Sequence, residues 1–287
     1  MKKYLFIAIC FLSLFILTGC FKRYDMENIN IVTTNYPIEY ITNKLYGDNS
    51  KVFNMYPAGV NQDDYKLTDK QLKDYSKNDL LIYNGAKSTT RDYAKTMLNL
   101  NKNLKIIDAS YGIDSYNTYS DVWLNPSNFL MLAQNVKNEL KSYISNKFVK
   151  EDIDERYEAL KVDVAALESS LKVVADNSVD KRIVCIDETM NFLSKYGFEV
   201  INLTKDGKED VENVDKALDL YNNGNLNYVF VPEYYSGSDL LDRIKDAKAE
   251  VITFRSLETI KEEDLNKNED FLSLMHENIS LISKETY

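Results

Sequence analysis

Apolar residues along this chain fall into short continuous runs, separated by longer stretches in which they recur every three or four positions. Ile29-Asn-Ile-Val-Thr33, Val52-Phe-Asn-Met55, Asp79-Leu-Leu-Ile-Tyr83 and Leu104-Lys-Ile-Ile-Asp108 are of the first kind, and each reads as a strand. Between them Pro37–Tyr46, Leu67–Lys77 and Thr89–Leu100 carry helical spacing. Runs that are apolar throughout, rather than alternating, suit strands buried on both faces, and their alternation with helices predicts parallel βαβ units. The pattern resumes after Asn177, with strands at Arg182–Ile186, Glu199–Leu203, Asn227–Val231 and Glu250–Phe254. Helices are expected over Thr189–Tyr196, Val211–Asn222, Ser238–Ala247 and, at the end, Glu262–Ser283.

Two helices lie between the halves. Ser127–Ser145 is the first. In the second, Ile153, Tyr157, Leu160, Val164, Leu167, Leu171 and Val174 keep helical spacing with no Gly or Pro among them, predicting one long helix over Asp152–Asp176. The expected fold is therefore α/β: two lobes, each with a mostly parallel sheet flanked by helices, joined by one long rigid linking helix. The lobes take residues 29–150 and 178–287, with the linker at 151–177.

The N-terminus differs in kind. Lys2 and Lys3 precede an apolar run, Tyr4–Ile16, that is too short for a comfortable span and ends in Leu17-Thr-Gly-Cys20. Residues 1–19 read as a signal peptide. Leu-x-Gly-Cys resembles the lipobox of bacterial lipoproteins, which implies a lipid on Cys20, a tether over residues 20–28, and a protein anchored to the outer face of the cytoplasmic membrane. Cys10 would leave with the leader, and Cys185 sits in an apolar strand, so no disulfide is expected within the mature chain.

Charge narrows the partners. Losing Lys2 and Lys3 lowers the 35 basic residues to 33 against 45 acidic ones, a net charge of −12. That argues against nucleic acid and against a basic patch on anionic lipid, and it permits a cationic ligand. Chemistry is scarce: His276 is the single histidine, no Ser/His or Cys/His nucleophile system can be assembled, and the nine glycines form no phosphate loop. A binding protein, monomeric and not an enzyme, is expected.

The most telling loop runs from Met55 to Tyr65, a Pro57/Gly59 turn followed by Asp63 and Asp64, with Thr68 and Gln71 placed to box the next helix. It leaves the carboxyl end of a strand, where open α/β sheets bind ligands.

Several motifs in order resemble one family, the metal-binding lipoproteins of zinc and manganese ABC importers of the zinc-uptake and pneumococcal-adhesin type. They are Ile31-Val-Thr-Thr-Asn-Tyr-Pro37, Pro57-Ala-Gly59, Asp64-Tyr65, Asp79-Leu-Leu-Ile-Tyr-Asn-Gly85 and Val122-Trp-Leu-Asn-Pro126, followed more weakly by Phe192-Leu-Ser-Lys-Tyr-Gly197, Phe230-Val-Pro-Glu233 and Val251-Ile-Thr-Phe254. The resemblance implies a metal held between the lobes by one ligand from each of four loops, and a membrane permease as partner. At the positions of the family's His, His and His-or-Glu ligands, this chain has Asp63, Asp121, and either Asp187 or Glu188. At the fourth, an Asp in the family, it has Arg255. Tyr36, Tyr65 and Trp123 are the aromatic residues expected near the cleft.

Zinc favours imidazole and thiolate, whereas an all-oxygen set suits manganese, magnesium or calcium. Gathered carboxylates need a positive partner. A divalent cation supplies it in one reading. In the other, Arg255 fills the site, no cofactor binds, and a small organic cation or a partner protein is the target.

Overall fold

The continuous apolar runs become parallel strands buried between helices. The computed structural model describes residues 26–113 and 121–286; the leader and Cys20 lie outside the described residues. The first sheet contains β1 (Ile29–Thr33), β2 (Ser50–Asn54), β3 (Leu80–Tyr83) and β4 (Lys105–Asp108), all parallel in the order β2-β1-β3-β4. Its helices are α1 (Tyr36–Tyr46), α2 (Asp69–Tyr75) and α3 (Ser88–Leu100). Thr68 and Gln71 form the full capping box at the start of α2. Helix α4 (Pro126–Tyr143) then leads into α5 (Lys147–Asn177), 31 residues long.

The second sheet has the order β10-β9-β5-β6, again parallel, with β5 at Arg182–Cys185, β6 at Glu199–Asn202, β9 at Tyr228–Pro232 and β10 at Glu250–Phe254. Helices α6 (Val211–Asn222) and α7 (Asp239–Asp246) cover it, and α8 (Glu262–Asn266) and α9 (Phe271–Thr286) close the chain.

All seven periodic residues of α5 are buried. They belong to one apolar cluster that runs from Ile31 and Ile82 in the first sheet, through Phe129 of α4 and the whole of α5, to Cys185, Phe230 and Phe254 in the second. Helix α9 joins it: the Phe271 ring stacks on Phe129 at 4.4 Å and 8°. The far face of each sheet has a separate core, around Leu81 and Met97 in one lobe and Val229 and Ile244 in the other. The linking helix is therefore gripped from both lobes, by α1 and α4 on one side and α9 on the other. Bending at α5 would open close-packed core, which resists the gap because each displaced contact loses dispersion energy.

Four local features differ from the sequence expectation. Residues Glu188–Tyr196 form a 3-10 helix instead of an α-helix. The linking helix starts earlier, at Lys147, where Asn146 caps it through the Phe148 N–H. The terminal helix is two helices, broken where Asn268 takes φ 59° and Asp270 then accepts the N–H groups of Leu272 and Ser273. Between β6 and α6 stands an unexpected hairpin, β7 (Thr204–Lys205) with β8 (Lys208–Glu209), turned by Asp206 and Gly207 at φ 50° and 72°. Asp-Gly is a strong hairpin signal, but two-residue strands offer no hydrophobic pattern to accompany it.

Candidate functional site

In each sheet the chain order reverses between two neighbouring strands, β1 and β3 in the first lobe and β5 and β9 in the second. Helices leave such neighbours on opposite faces, so a crevice opens beyond their carboxyl ends. The loop after β3 carries Asn84-Gly85-Ala86-Lys87, the loop after β5 carries Asp187, and the loop after β9 carries Glu233 and Tyr234. The segment after β10, Arg255–Lys261, closes the gap between lobes. Its Glu258 carbonyl accepts the Tyr36 N–H at 2.9 Å, its Ile260 carbonyl accepts the Gly59 N–H at 2.9 Å, and its Ser256 carbonyl accepts the Trp123 indole N–H at 2.7 Å.

A charged cluster lies on this seam. The Lys87 ammonium is 2.8 Å from Asp63 and 2.9 Å from Glu258, which belong to opposite lobes. Lys87 and Glu258 are only 13% and 10% exposed, whereas Asp63 is 70% exposed. Burial pushes the Glu258 carboxyl above its usual range, and the Lys87 charge only partly pulls it back. For Lys87, burial works against the charge, but Glu258 and Asp63 outweigh it and hold the ammonium above its ordinary value. Gly85 makes the loop possible: a Cβ there would stand 2.0 Å from an Asp108 carboxylate oxygen, and its N–H donates to that carboxylate at 3.1 Å. Beside the cluster a cavity of about 130 Å³ is lined by Gly59, Asp64, Glu233, Tyr234, Glu258 and Lys261 among others, with Lys261 paired to Glu233 at 3.0 Å.

Two further acids, Asp121 and Asp187, act on Tyr234. Burial, then the charge of Asp121, then that of Asp187 hold its pKa well above that of an ordinary tyrosine. Asp121 comes from the first lobe and is buried, and Asp187 comes from the second. The Tyr234 hydroxyl reaches Asp187 at 3.5 Å and Thr189 at 3.4 Å. Asp187 also caps the 3-10 helix by accepting the Thr189 N–H, and the buried Cys185 thiol points at it from 3.7 Å.

The sequence candidates thus separate. Asp187 meets the Tyr234 hydroxyl and Asp121 acts on it through its charge, while Asp63 is with Lys87 and Glu258. Glu188 opens the 3-10 helix, half-exposed. Arg255 turns to its own lobe, 2.7 Å from Asp264 and 3.4 Å from Glu277. Trp123 is buried between lobes, and Tyr65 packs edge-on against Tyr56 and accepts from Gln71. Tyr36 is buried, with its main chain on the seam. His276 is exposed on α9. Among the described residues, no three His, Cys, Asp or Glu side chains are gathered as a metal site in this arrangement. Lys87, Glu233, Tyr234, Glu258 and Lys261 were not foreseen. Glu258 and Glu233 could have been found as the first carboxylates after the ends of β10 and β9. Lys87 had no comparable signal.

A family described as the periplasmic zinc-uptake complex component A, ZnuA, matches residues 31–285. The chain belongs to that family. Among its relatives, the zinc-binding lipoprotein AdcA of Streptococcus pneumoniae is 21% identical across 100% of this chain, which spans only 61% of that protein's length. The manganese ABC transporter substrate-binding lipoprotein PsaA of Streptococcus pneumoniae is 26% identical over 67% of each chain. The fold is that of the Zn(II)-bound ZnuA-like domain of Streptococcus pneumoniae AdcA, with TM-score 0.73 and 21% identity over 90% of this chain and 99% of that one. ZnuA-family members are solute-binding components of metal ABC importers, and two lobes, each with a parallel sheet, joined by a long helix are their architecture. Among the described residues, no helix is long and apolar enough to cross a membrane.

Proposed function

We propose that this chain is an extracytoplasmic, lipid-anchored receptor that captures a hard divalent cation, manganese foremost, in the interlobe cleft and delivers it to a membrane permease. The observation that carries the reading is that Tyr234, on the loop after β9, feels the charges of both Asp121, from the first lobe, and Asp187, from the second, with its hydroxyl 3.5 Å from Asp187. Asp63 and Glu258 add carboxylates on the same seam. The donor set has oxygen where zinc would prefer nitrogen or sulfur, which favours manganese over zinc. The relatives named as zinc-binding and manganese-transporting lipoproteins support a cation as cargo. No bond is made or broken in capture and release, so no catalytic residue is assigned.

A second reading rests on the two lysines. Lys87 between Asp63 and Glu258, and Lys261 on Glu233, neutralise carboxylates with the protein's own cations. This favours a metal-silent receptor that recognises an organic cation or a partner protein. Arg255, engaged with Asp264 and Glu277, has no part in it.

Calorimetric titration of the metal-stripped chain from Phe21 onward separates the two. Manganese is expected to bind saturably and more tightly than zinc. The Asp121→Ala, Asp187→Ala variant should lose roughly a hundredfold or more in affinity, because carboxylate count tunes oxygen-ligated sites over such a range. Absence of saturable binding by folded wild-type protein would sink the metal reading. Because α5 is packed from both lobes, small-angle scattering should change little when cargo is added; marked compaction would mean hinge closure instead.

A further inference from the structure

We propose that the Lys87 ammonium is a tethered cation seated on the Asp63 and Glu258 carboxylates between the lobes, so that a cargo cation reaches this pair only by displacing it. This rests on the cation-receptor reading and adds the residue that sets its affinity.

The geometry is specific. Lys87 precedes α3, in the loop after β3, and crosses to Glu258 of the other lobe at 2.9 Å while also meeting Asp63 at 2.8 Å. Glu258 has little freedom to follow a leaving partner. Its carbonyl accepts from the Tyr36 N–H and, at 3.4 Å, from the Gln62 side chain, and its own N–H donates to Ser256 Oγ at 3.3 Å. A carboxylate buried this way stays charged only beside a positive partner, since an uncompensated buried charge is costly. Lys87 is that partner in the cargo-free chain. A divalent ion could replace it with twice the charge.

The two cations cannot share the pair. Like charges at such separation repel, and the half-buried site screens them less than bulk water would. The ammonium has a way out, because Asp63 lies on the exposed side and the lysine stem can swing while its head is hydrated. Lys87 therefore lowers affinity for every cation and disfavours weakly charged ones most, a filter based on charge. Arginine would be a poorer gate, since its planar fork holds carboxylates bidentately.

The test is manganese titration, by calorimetry, of wild type, Lys87→Met and Lys87→Arg. Lys87→Met should bind about tenfold tighter or more, equivalent to about 1.4 kcal/mol of relieved competition, with Lys87→Arg no tighter than wild type. If wild type binds manganese and Lys87→Met binds no better, the gate is refuted and the receptor reading stands. If only Lys87→Met binds, the gate is upheld and native manganese capture is refuted. If neither binds, both fail. Should Lys87→Met not fold, wild-type protein answers the question: amine-reactive labelling of Lys87, read by mass spectrometry, should rise when manganese is added. Unchanged labelling at saturating manganese would overturn the displacement.

Discussion

Phe271→Ala is expected to destabilise the protein by about 3–5 kcal/mol, the cost of emptying a fully enclosed aromatic site. The ring is 0% exposed, lies flat on Phe129 at 4.4 Å, and has Tyr40 at 5.7 Å. Phe129 and Tyr40 belong to helices of the first lobe, whereas Phe271 opens the last helix of the chain. A cavity here would also loosen the grip on α5, because neighbouring backbone relaxes only in part. The melting temperature should fall by about 10 °C, given roughly 2–4 °C per kcal/mol for a chain of this size. Phe271→Leu keeps most of the volume and should cost less than about 1.5 kcal/mol. A double-mutant cycle with Phe129→Ala should return a coupling of about 0.5–1.5 kcal/mol from ring packing. A melting temperature within about 2 °C of wild type for Phe271→Ala would show that the stack does not tie the lobes.

Trp123→Ala is the other large effect, and it reaches the cleft. Trp123 is 1% exposed, and its indole N–H donates at 2.7 Å to the carbonyl of Ser256 across the lobe boundary. Loss of the side chain should cost about 3–5 kcal/mol. Trp123→Phe retains much of the packing but leaves the Ser256 carbonyl unpaired, a penalty of about 1–3 kcal/mol. Two residues beyond Ser256 stands Glu258, so both variants should also weaken cation binding by freeing the segment that presents its carboxylate. Circular-dichroism melting is the right readout, since Trp123 is the single tryptophan and its removal abolishes that fluorescence. If Trp123→Phe melted like wild type and bound manganese unchanged, the bond to Ser256 would have no part in holding the seam.

The cleft charges were harder to foresee than these core contacts. Asp63 and Asp121 were legible because each stands beside a motif, Asp64-Tyr65 or Val122-Trp-Leu-Asn-Pro126, that fixes its place. Lys87 has no such neighbour, and its partners lie 24 and 171 positions away, a pairing that only chain folding brings about. Arg255 illustrates the opposite case. Sequence position places it beyond a strand end, but side-chain direction and the nearby acids Asp264 and Glu277 draw it into its own lobe.

The periodic residues of the linking helix, the continuous apolar strands and the Thr68–Gln71 box are local or strongly patterned signals, so the sequence alone determined the α/β class, the two lobes and the long helix between them. Those signals need only period and capping chemistry, which operate over a few residues. Strand order was decided by the tertiary structure. It put β1 beside β3 and β5 beside β9, and so brought the loops of Lys87, Asp187 and Tyr234 to the crevice beside the Pro57–Tyr65 loop, whose own strand lies at the sheet edge. Charge pairing followed from the same packing, because a buried carboxylate takes whichever cation the assembled lobes bring within reach.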